Sequence, residues 1–226
     1  MSDSNIGAAA ARLLLEAGAV QVSTGRPFML AAGWASPVYV DCRRLIGEPA
    51  WRREITSLAA TAIQHPNIPT FDAIAGAETA GIPFAAWLAD RLSLPMRYVR
   101  KRPLGIGRHA QVEGGPVDNM RVLLVDDLCT DGSSKTAFVR GLRTAGATVT
   151  HALVIFHHAV FPDGAERLAH LGLTLHALAT WNDILKLDTT SPHLTPTNRA
   201  EIERFIADPA TWSAIHHGRG GPMLPL

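Results

Sequence analysis

A chain of 226 residues, 47% hydrophobic and 18% charged with a formal net charge of +1, has the balance of an ordinary globular domain with one sizeable core. Near-zero charge argues against a nucleic-acid binder that works by neutralising phosphates, and no run approaches the ~20 apolar residues of a membrane span. The two cysteines, Cys42 and Cys129, match no zinc spacing and predict reduced thiols in a cytoplasmic protein.

The first twenty residues lack the basic start and cleavage pattern of a secretory signal. They predict a helix with Ser4 as N-cap and Gly18 as its end. "PFMLAAGWASPVYVDCRRL" carries short strand-like runs broken by Gly33 and Pro37, a small hood. "PAWRREITSLAATAIQHP" is an amphipathic helix bounded by Pro49 and Pro66. Strands then alternate with helices. "FDAIAGA", "PMRYVRK", "RVLLVDD", "TVTHALVIFHH" and "TLHALATWNDI" are the strands; "TAGIPFAAWLADRLSL", "SSKTAFVRGLRTAGA" and "DGAERLAHLGL" are the helices. Near-continuous aliphatic strands in this alternation predict an α/β fold with a central parallel sheet covered by helices on both faces. One or two helices close the chain. The expected layout is a single domain: hood at about 1–45, core at about 46–190, C-terminal helices at about 191–217 and a loose tail at 218–226.

"RVLLVDDLCTDGSSK" (121–135) ends a buried strand with two aspartates at the sheet edge where such folds bind ligands. Thr130, Asp131, Gly132, Ser133 and Ser134 follow at a helix start, where free N–H groups, hydroxyls and the helix dipole suit a phosphate. Gly132 lets an anion approach the backbone. Asp126 and Asp127 would repel that phosphate, so they should face a neutral group rich in donors, such as the two hydroxyls of a ribose. The competing reading is a strand-to-helix turn whose aspartates cap or pair at the surface.

"VLLVDDLCTDGSSK" resembles the 5-phosphoribosyl-1-diphosphate (PRPP) motif of the type I phosphoribosyltransferases, which implies their fold. "PFMLAAGWASPVYVDCR", "FDAIAGAETAGIPFAAWLAD", "LPMRYVRKRPLGIGRHAQVEG", "FHHAVFP" and "ATWNDIL" are similar, in order and spacing, to landmarks of the orotate phosphoribosyltransferases, from about Leu13 to Trp212. The resemblance implies transfer of phosphoribosyl from PRPP to orotate, giving orotidine 5′-monophosphate and pyrophosphate in pyrimidine synthesis. It implies catalytic roles for Arg100, Lys101, Asp126 and Asp127. PRPP contacts fall to Asp126, Asp127, Thr130, Asp131, Gly132, Ser133, Ser134, Glu78, Thr79, Arg100, Lys101 and Arg108, and orotate contacts to Phe28, Tyr39, Thr130 and His158. The implied cofactor is Mg2+, held through PRPP and not by protein ligands. The implied assembly is a homodimer whose lid closes over the neighbouring subunit.

Other readings remain for several stretches. "AGAETAGIP" (75–83) could be a nest for pyrophosphate or only close helix–sheet packing, which explains Gly76 and Gly81 but not Glu78 and Thr79. "RKRPLGIGRHAQVEGG" (100–115) reads as a glycine-hinged lid or as a solvated basic hairpin. Trp34 and Tyr39 could border the base or close the core.

Against the usual family pattern, Leu104 stands where a lid lysine reaches the pyrophosphate and Ile106 where histidine is common. Ala31 and Ala35 occupy the hood segment where many members carry lysine, and His158 stands for an arginine that grips the orotate carboxylate. Losing one charge-assisted contact to a leaving oxyanion typically costs ~2.7–4 kcal/mol of barrier, roughly a hundred- to thousandfold in rate. A second expectation is therefore a paralogue that binds PRPP or nucleotides with impaired catalysis, or that acts on another base.

Overall fold

The computed structural model describes residues 3–23, 25–30, 33–107, 110–187 and 194–220. Helix α1 (Asp3–Glu16) begins ahead of Ser4, which therefore lies inside the helix and not at its N-cap. Gly18, at φ +61°, ends it by donating its N–H to the Leu15 carbonyl. Grouped with the hood in the sequence, α1 instead packs on the main sheet and neighbouring helices. Its Ala- and Leu-rich face has more apolar surface than four short strands could cover.

The hood is two antiparallel pairs. Strand β1 (Val20–Val22) pairs with β4 (Val38–Val40), and β2 (Phe28–Met29) pairs with β3 (Ala35–Ser36). A 3-10 helix (Cys42–Ile46) and α2 (Pro49–Ile63) lead into the core; Pro49 starts α2, where a missing N–H costs nothing.

The core holds β5 (Ala73–Ala77), α3 (Gly81–Leu92), β6 (Met96–Val99), β7 (Val112–Glu113), β8 (Arg121–Cys129), α4 (Ser133–Thr144), β9 (Thr148–His157), α5 (Gly164–His170) and β10 (Thr174–Thr180). Sheet order is β10-β9-β8-β5-β6-β7, parallel throughout except for β7, which folds back antiparallel on β6. The predicted lid is thus a hairpin at its base. Alternate strand residues divide between two cores. Ile74, Leu123, Val125, Leu153 and Ile155 pack under α1, α2 and α3, while Ala73, Ala75, Val122, Leu124 and Ala152 pack under α4 and α5. Burial on both faces explains why these strands read as unbroken aliphatic runs.

Two sequence expectations change at the C-terminal side. "ATWNDIL" does not continue β10: Trp181–Lys186 is a helix, α6, opened by a capping box in which Asp183 accepts the Thr180 N–H at 2.8 Å. Helix α8 (Pro209–Ile215) then folds back on the hood strand β3, with α7 (Pro196–Ala207) packed against α8. Ser213 Oγ accepts the Ala35 N–H at 2.9 Å, and the Arg219 N–H reaches the Gly33 carbonyl at 2.9 Å. The first residues of the expected loose tail are therefore tied down, with the Arg219 guanidinium 4.7 Å over the Trp34 ring; residues 221–226 lie outside the described residues. Among the described residues no helix is long and apolar enough to cross a membrane.

Candidate active site

From β5 the chain moves outward to β6 in one direction and to β8, β9 and β10 in the other. The crevice between the carboxyl ends of β5 and β8 is the point where a parallel sheet opens to a ligand. A cavity of about 820 Å³ lies there. Its walls come from the loop after β5 (Glu78, Thr79, Ala80), the end of β8 and the loop beyond it (Asp126 to Leu128, Thr130 to Ser134), the hood (Tyr39, Asp41, Arg43) and Lys101.

Asp126 and Asp127 lie within β8, which runs on to Cys129, two residues beyond the expected strand end. Side chains alternate across a strand, so the two acids meet different surroundings. Asp126 is 7% exposed, and both its oxygens are engaged: Oδ1 accepts the Asp127 N–H at 2.9 Å and Oδ2 accepts Lys135 Nζ at 2.6 Å. Lys135, on the first turn of α4, is 0% exposed; its ammonium also donates to the Leu128 carbonyl at 2.8 Å and lies 3.5 Å from Ser134 Oγ. Burial, the largest single influence, would lower the Lys135 pKa, but Asp126, together with Cys129 and Asp127, outweighs it and holds the ammonium above its ordinary value. Asp127 behaves oppositely: burial, then the neighbouring Asp126 charge, pushes its carboxyl up to about 7. Removing one partner of such a buried pair typically costs ~3–5 kcal/mol.

Thr130, Asp131, Gly132, Ser133 and Ser134 all border the cavity. Gly132 is the N-cap of α4 at φ +76°, a left-handed conformation that lets the loop turn directly into the helix. The acidic side chain at the loop's centre is turned back. Asp131 Oδ1 accepts the Ser133 N–H at 3.1 Å and Oδ2 lies 3.2 Å from Arg167 on α5, while Arg167 also donates to the Asp131 carbonyl at 2.9 Å. Burial would raise the Asp131 pKa, but these donors outweigh it and hold the carboxyl below the usual range.

The β5 loop brings Glu78 and Thr79 to the opposite wall. Gly81 at the start of α3 is there for packing: a Cβ would sit 2.4 Å from the Val125 carbonyl oxygen. The two readings of this stretch are thus compatible, because packing needs the glycine while Glu78 and Thr79 face the cavity. Glu78 accepts the Lys101 N–H at 2.8 Å and lies 3.5 Å from Arg100. Arg100 is not among the residues that line the cavity; it bonds Glu113 at 3.0 Å and sits 5.5 Å over the Tyr98 ring. Leu104 and Ile106 are exposed at the end of the hairpin, whose Gly105, Gly107, Gly114 and Gly115 all have positive φ. Arg108 and Ala31 lie outside the described residues.

His158 requires a correction. Its ring is 1% exposed beneath Phe156, Phe161 and Trp181, and its Nδ1 accepts the Trp181 indole N–H at 3.1 Å. Burial and the neighbouring His157 push its pKa down to about 3, so the ring is neutral and turned into the core, away from the cavity. In the hood Tyr39 lines the cavity, with Phe28 packed against it at 5.7 Å but not itself lining it. Trp34 closes the core.

Sequence reasoning passed over Lys135, Arg167, Asp41 and Arg43. Arg43 borders the cavity and bonds the Tyr39 hydroxyl at 3.1 Å and Asp41 at 2.5 Å. A signal for Lys135 was present: it begins the stripe Lys135, Phe138, Val139, Leu142, and a lysine on the buried face of a helix demands a partner.

A family model described as phosphoribosyl transferase domain matches residues 46–170. The orotate phosphoribosyltransferase of Ruegeria sp. (strain TM1040) is 47% identical over 203 residues, 89% of this chain and 90% of that protein. The crystal structure of orotate phosphoribosyltransferase from Aeropyrum pernix superposes with a TM-score of 0.67 at 36% identity, covering 78% of this chain and 96% of that one. UMP synthase of Leishmania donovani superposes with a TM-score of 0.75 at 28% identity over 88% of this chain, which spans 42% of that longer protein. With the switch-point cavity walled by the acidic pair and its loop, these likenesses along nearly the whole chain show that it belongs to the orotate phosphoribosyltransferase family of type I phosphoribosyltransferases.

Proposed function

We propose that this protein transfers the phosphoribosyl group of PRPP to a ring nitrogen of orotate, giving orotidine 5′-monophosphate and pyrophosphate for pyrimidine synthesis. The observation that carries the reading is the meeting, in one cavity, of the acidic pair, the Thr130–Ser134 loop and the β5 loop. In this reading Asp127 accepts hydrogen bonds from the ribose hydroxyls, and the 130–134 loop donates to the 5′-phosphate. Glu78 and Thr79 bring their loop's amides to the diphosphate. Tyr39, backed by Phe28, and Thr130 border the orotate ring. Arg43, a guanidinium beside Tyr39, takes the carboxylate role that the buried His158 leaves open.

The transition state is oxocarbenium-like, so the protein's task is to position the reactants and to stabilise charge growing on the leaving diphosphate. Among the described residues no three His, Cys, Asp or Glu side chains converge as a metal cage, and Asp126 has both oxygens engaged within the protein. That donor set fits magnesium arriving on PRPP. When bound there, the ion neutralises diphosphate charge. Lys101 and the rest of the 100–115 hairpin would close over a cavity, excluding water from the cation. We place that closure across a homodimer, with Lys101 at the hairpin's base bordering its own cavity and the exposed end at Leu104 and Ile106 reaching the neighbouring subunit's.

The test is loss of orotate absorbance with PRPP, magnesium and purified protein. Turnover with stoichiometric orotidine 5′-monophosphate is expected. Saturable PRPP binding without turnover would favour instead the binding-only paralogue, which Leu104 keeps in view and the named relatives do not favour.

A further inference from the structure

We propose that Lys135 is a positioning residue for the donor sugar: by holding Asp126 from behind, it makes Asp127 the acid of the pair that meets the ribose. The inference deepens the PRPP-site reading and rests on it.

Lys135 cannot touch a ligand, since it is 0% exposed and its ammonium points at Asp126, the Leu128 carbonyl and Ser134. What it can do is divide the labour between two adjacent acids. Asp126 gives one oxygen to Lys135 and the other to the Asp127 N–H, which fixes the strand end and leaves that carboxylate little to offer a substrate. Both acids border the cavity, but among the described residues Asp127 makes no ion pair, and Lys135 acts on it only through its charge. The pair beside an anion-rich substrate then carries one net negative charge in place of two.

The other titratable groups packed around the pair do not supply this compensation. From the 3-10 helix and from β8, the thiols of Cys42 and Cys129 are pushed up by burial and stay neutral. From β9, His157 is pushed down to about 4 by burial and by Lys135 itself. From the hood, Arg43 acts on Asp127 only weakly: its Nε is held by Asp41 at 2.5 Å and its guanidinium is half exposed, so water screens its charge. Lys135 is the buried cation of the corner, and its removal leaves two carboxylates facing each other.

The experiment is the pH dependence of PRPP affinity, by isothermal titration calorimetry with magnesium, in folded protein verified by thermal melting. In the unaltered protein affinity falls as pH drops through about 7, where Asp127 takes up a proton. Lys135→Met is expected to move that midpoint up by roughly one unit or more, the size of effect a nearby opposite charge has on an acid. Asp126→Asn moves it down. The Asp126→Asn/Lys135→Met double variant returns it toward the original, which a merely structural loss does not do. A folded Lys135→Met protein with an unmoved midpoint overturns the assignment. If that variant does not fold, an Asp126→Asn protein without the downward shift overturns it equally. Absence of PRPP binding by the unaltered protein at every pH sinks the site reading instead, so the two failures are distinguishable.

Discussion

At the Thr130–Lys135 corner both charged side chains, Asp131 and Lys135, are buried and paired, whereas the 100–115 hairpin carries Leu104 and Ile106 in solvent on a backbone with four glycines at positive φ. The corner is organised before any ligand arrives, so its dipoles need not reorganise during reaction. The hairpin is of the opposite kind, with few buried contacts and hinges that can absorb motion. The contrast separates two energetic tasks. Variants at the corner should change how tightly the donor is held, and variants in the hairpin should change how fast the bound donor reacts.

The sharpest probe of that division is Leu104→Lys. A cation restored to the hairpin is expected to raise kcat and kcat/KM together, by up to roughly a hundredfold, with KM for PRPP little changed. Steady-state kinetics read this directly. A rate unaltered by the lysine would mean that another hairpin cation already serves, or that this segment does not close on the leaving group.

Asp127→Asn comes next and should act on the other side of the comparison. Loss of a charged acceptor for the ribose is worth about 1.5–3 kcal/mol, roughly a ten- to hundredfold rise in the PRPP dissociation constant. The same change should stabilise the free protein at pH 8. A carboxyl raised from 3.8 to about 7 in the folded state holds its proton better there than in the unfolded chain. Its contribution therefore favours folding at low pH and is lost as pH rises between those values, and asparagine removes the penalty. Thermal melting at pH 8 should show a gain of about 1–2 kcal/mol after allowance for screening. A destabilised Asp127→Asn protein would break the picture of a site residue held at a cost to the fold.

The smallest effect is expected from Arg167→Met. It releases Asp131, but Arg219 remains 3.7 Å from that carboxylate, and Arg167 is itself partly solvated. A loss of about 1 kcal/mol in stability, with a several-fold rise in KM for PRPP and unchanged kcat, would place Arg167 on the binding side of the division. A fall in kcat alone would move the corner into the chemistry.

How legible these features were depends on the range of the forces behind them. Alternation of apolar runs, the Gly18 stop and the prolines bounding α2 are local signals, and the elements they predict stand in the fold. Thr180–Asp183 was a local signal too, but the apolar run ahead of it read as strand through Ile184, and the capping box turns the chain into helix from Trp181. His158 was beyond such reasoning. Whether the residue after β9 faces the cavity or the core depends on Phe156, Phe161 and Trp181 converging on it from three segments.

By itself the sequence determined the order of strands and helices, the acidic pair at a strand end and the turn that leads into α4. These depend on side-chain period, backbone freedom and hydrogen bonds between near neighbours. Only the tertiary structure decided which aspartate is spent on Lys135, where Asp131 finds its arginines, and that His158 is core. Those outcomes depend on burial, and burial is set by segments far apart in the chain: a charge removed from water must find whatever partner the packing brings to it.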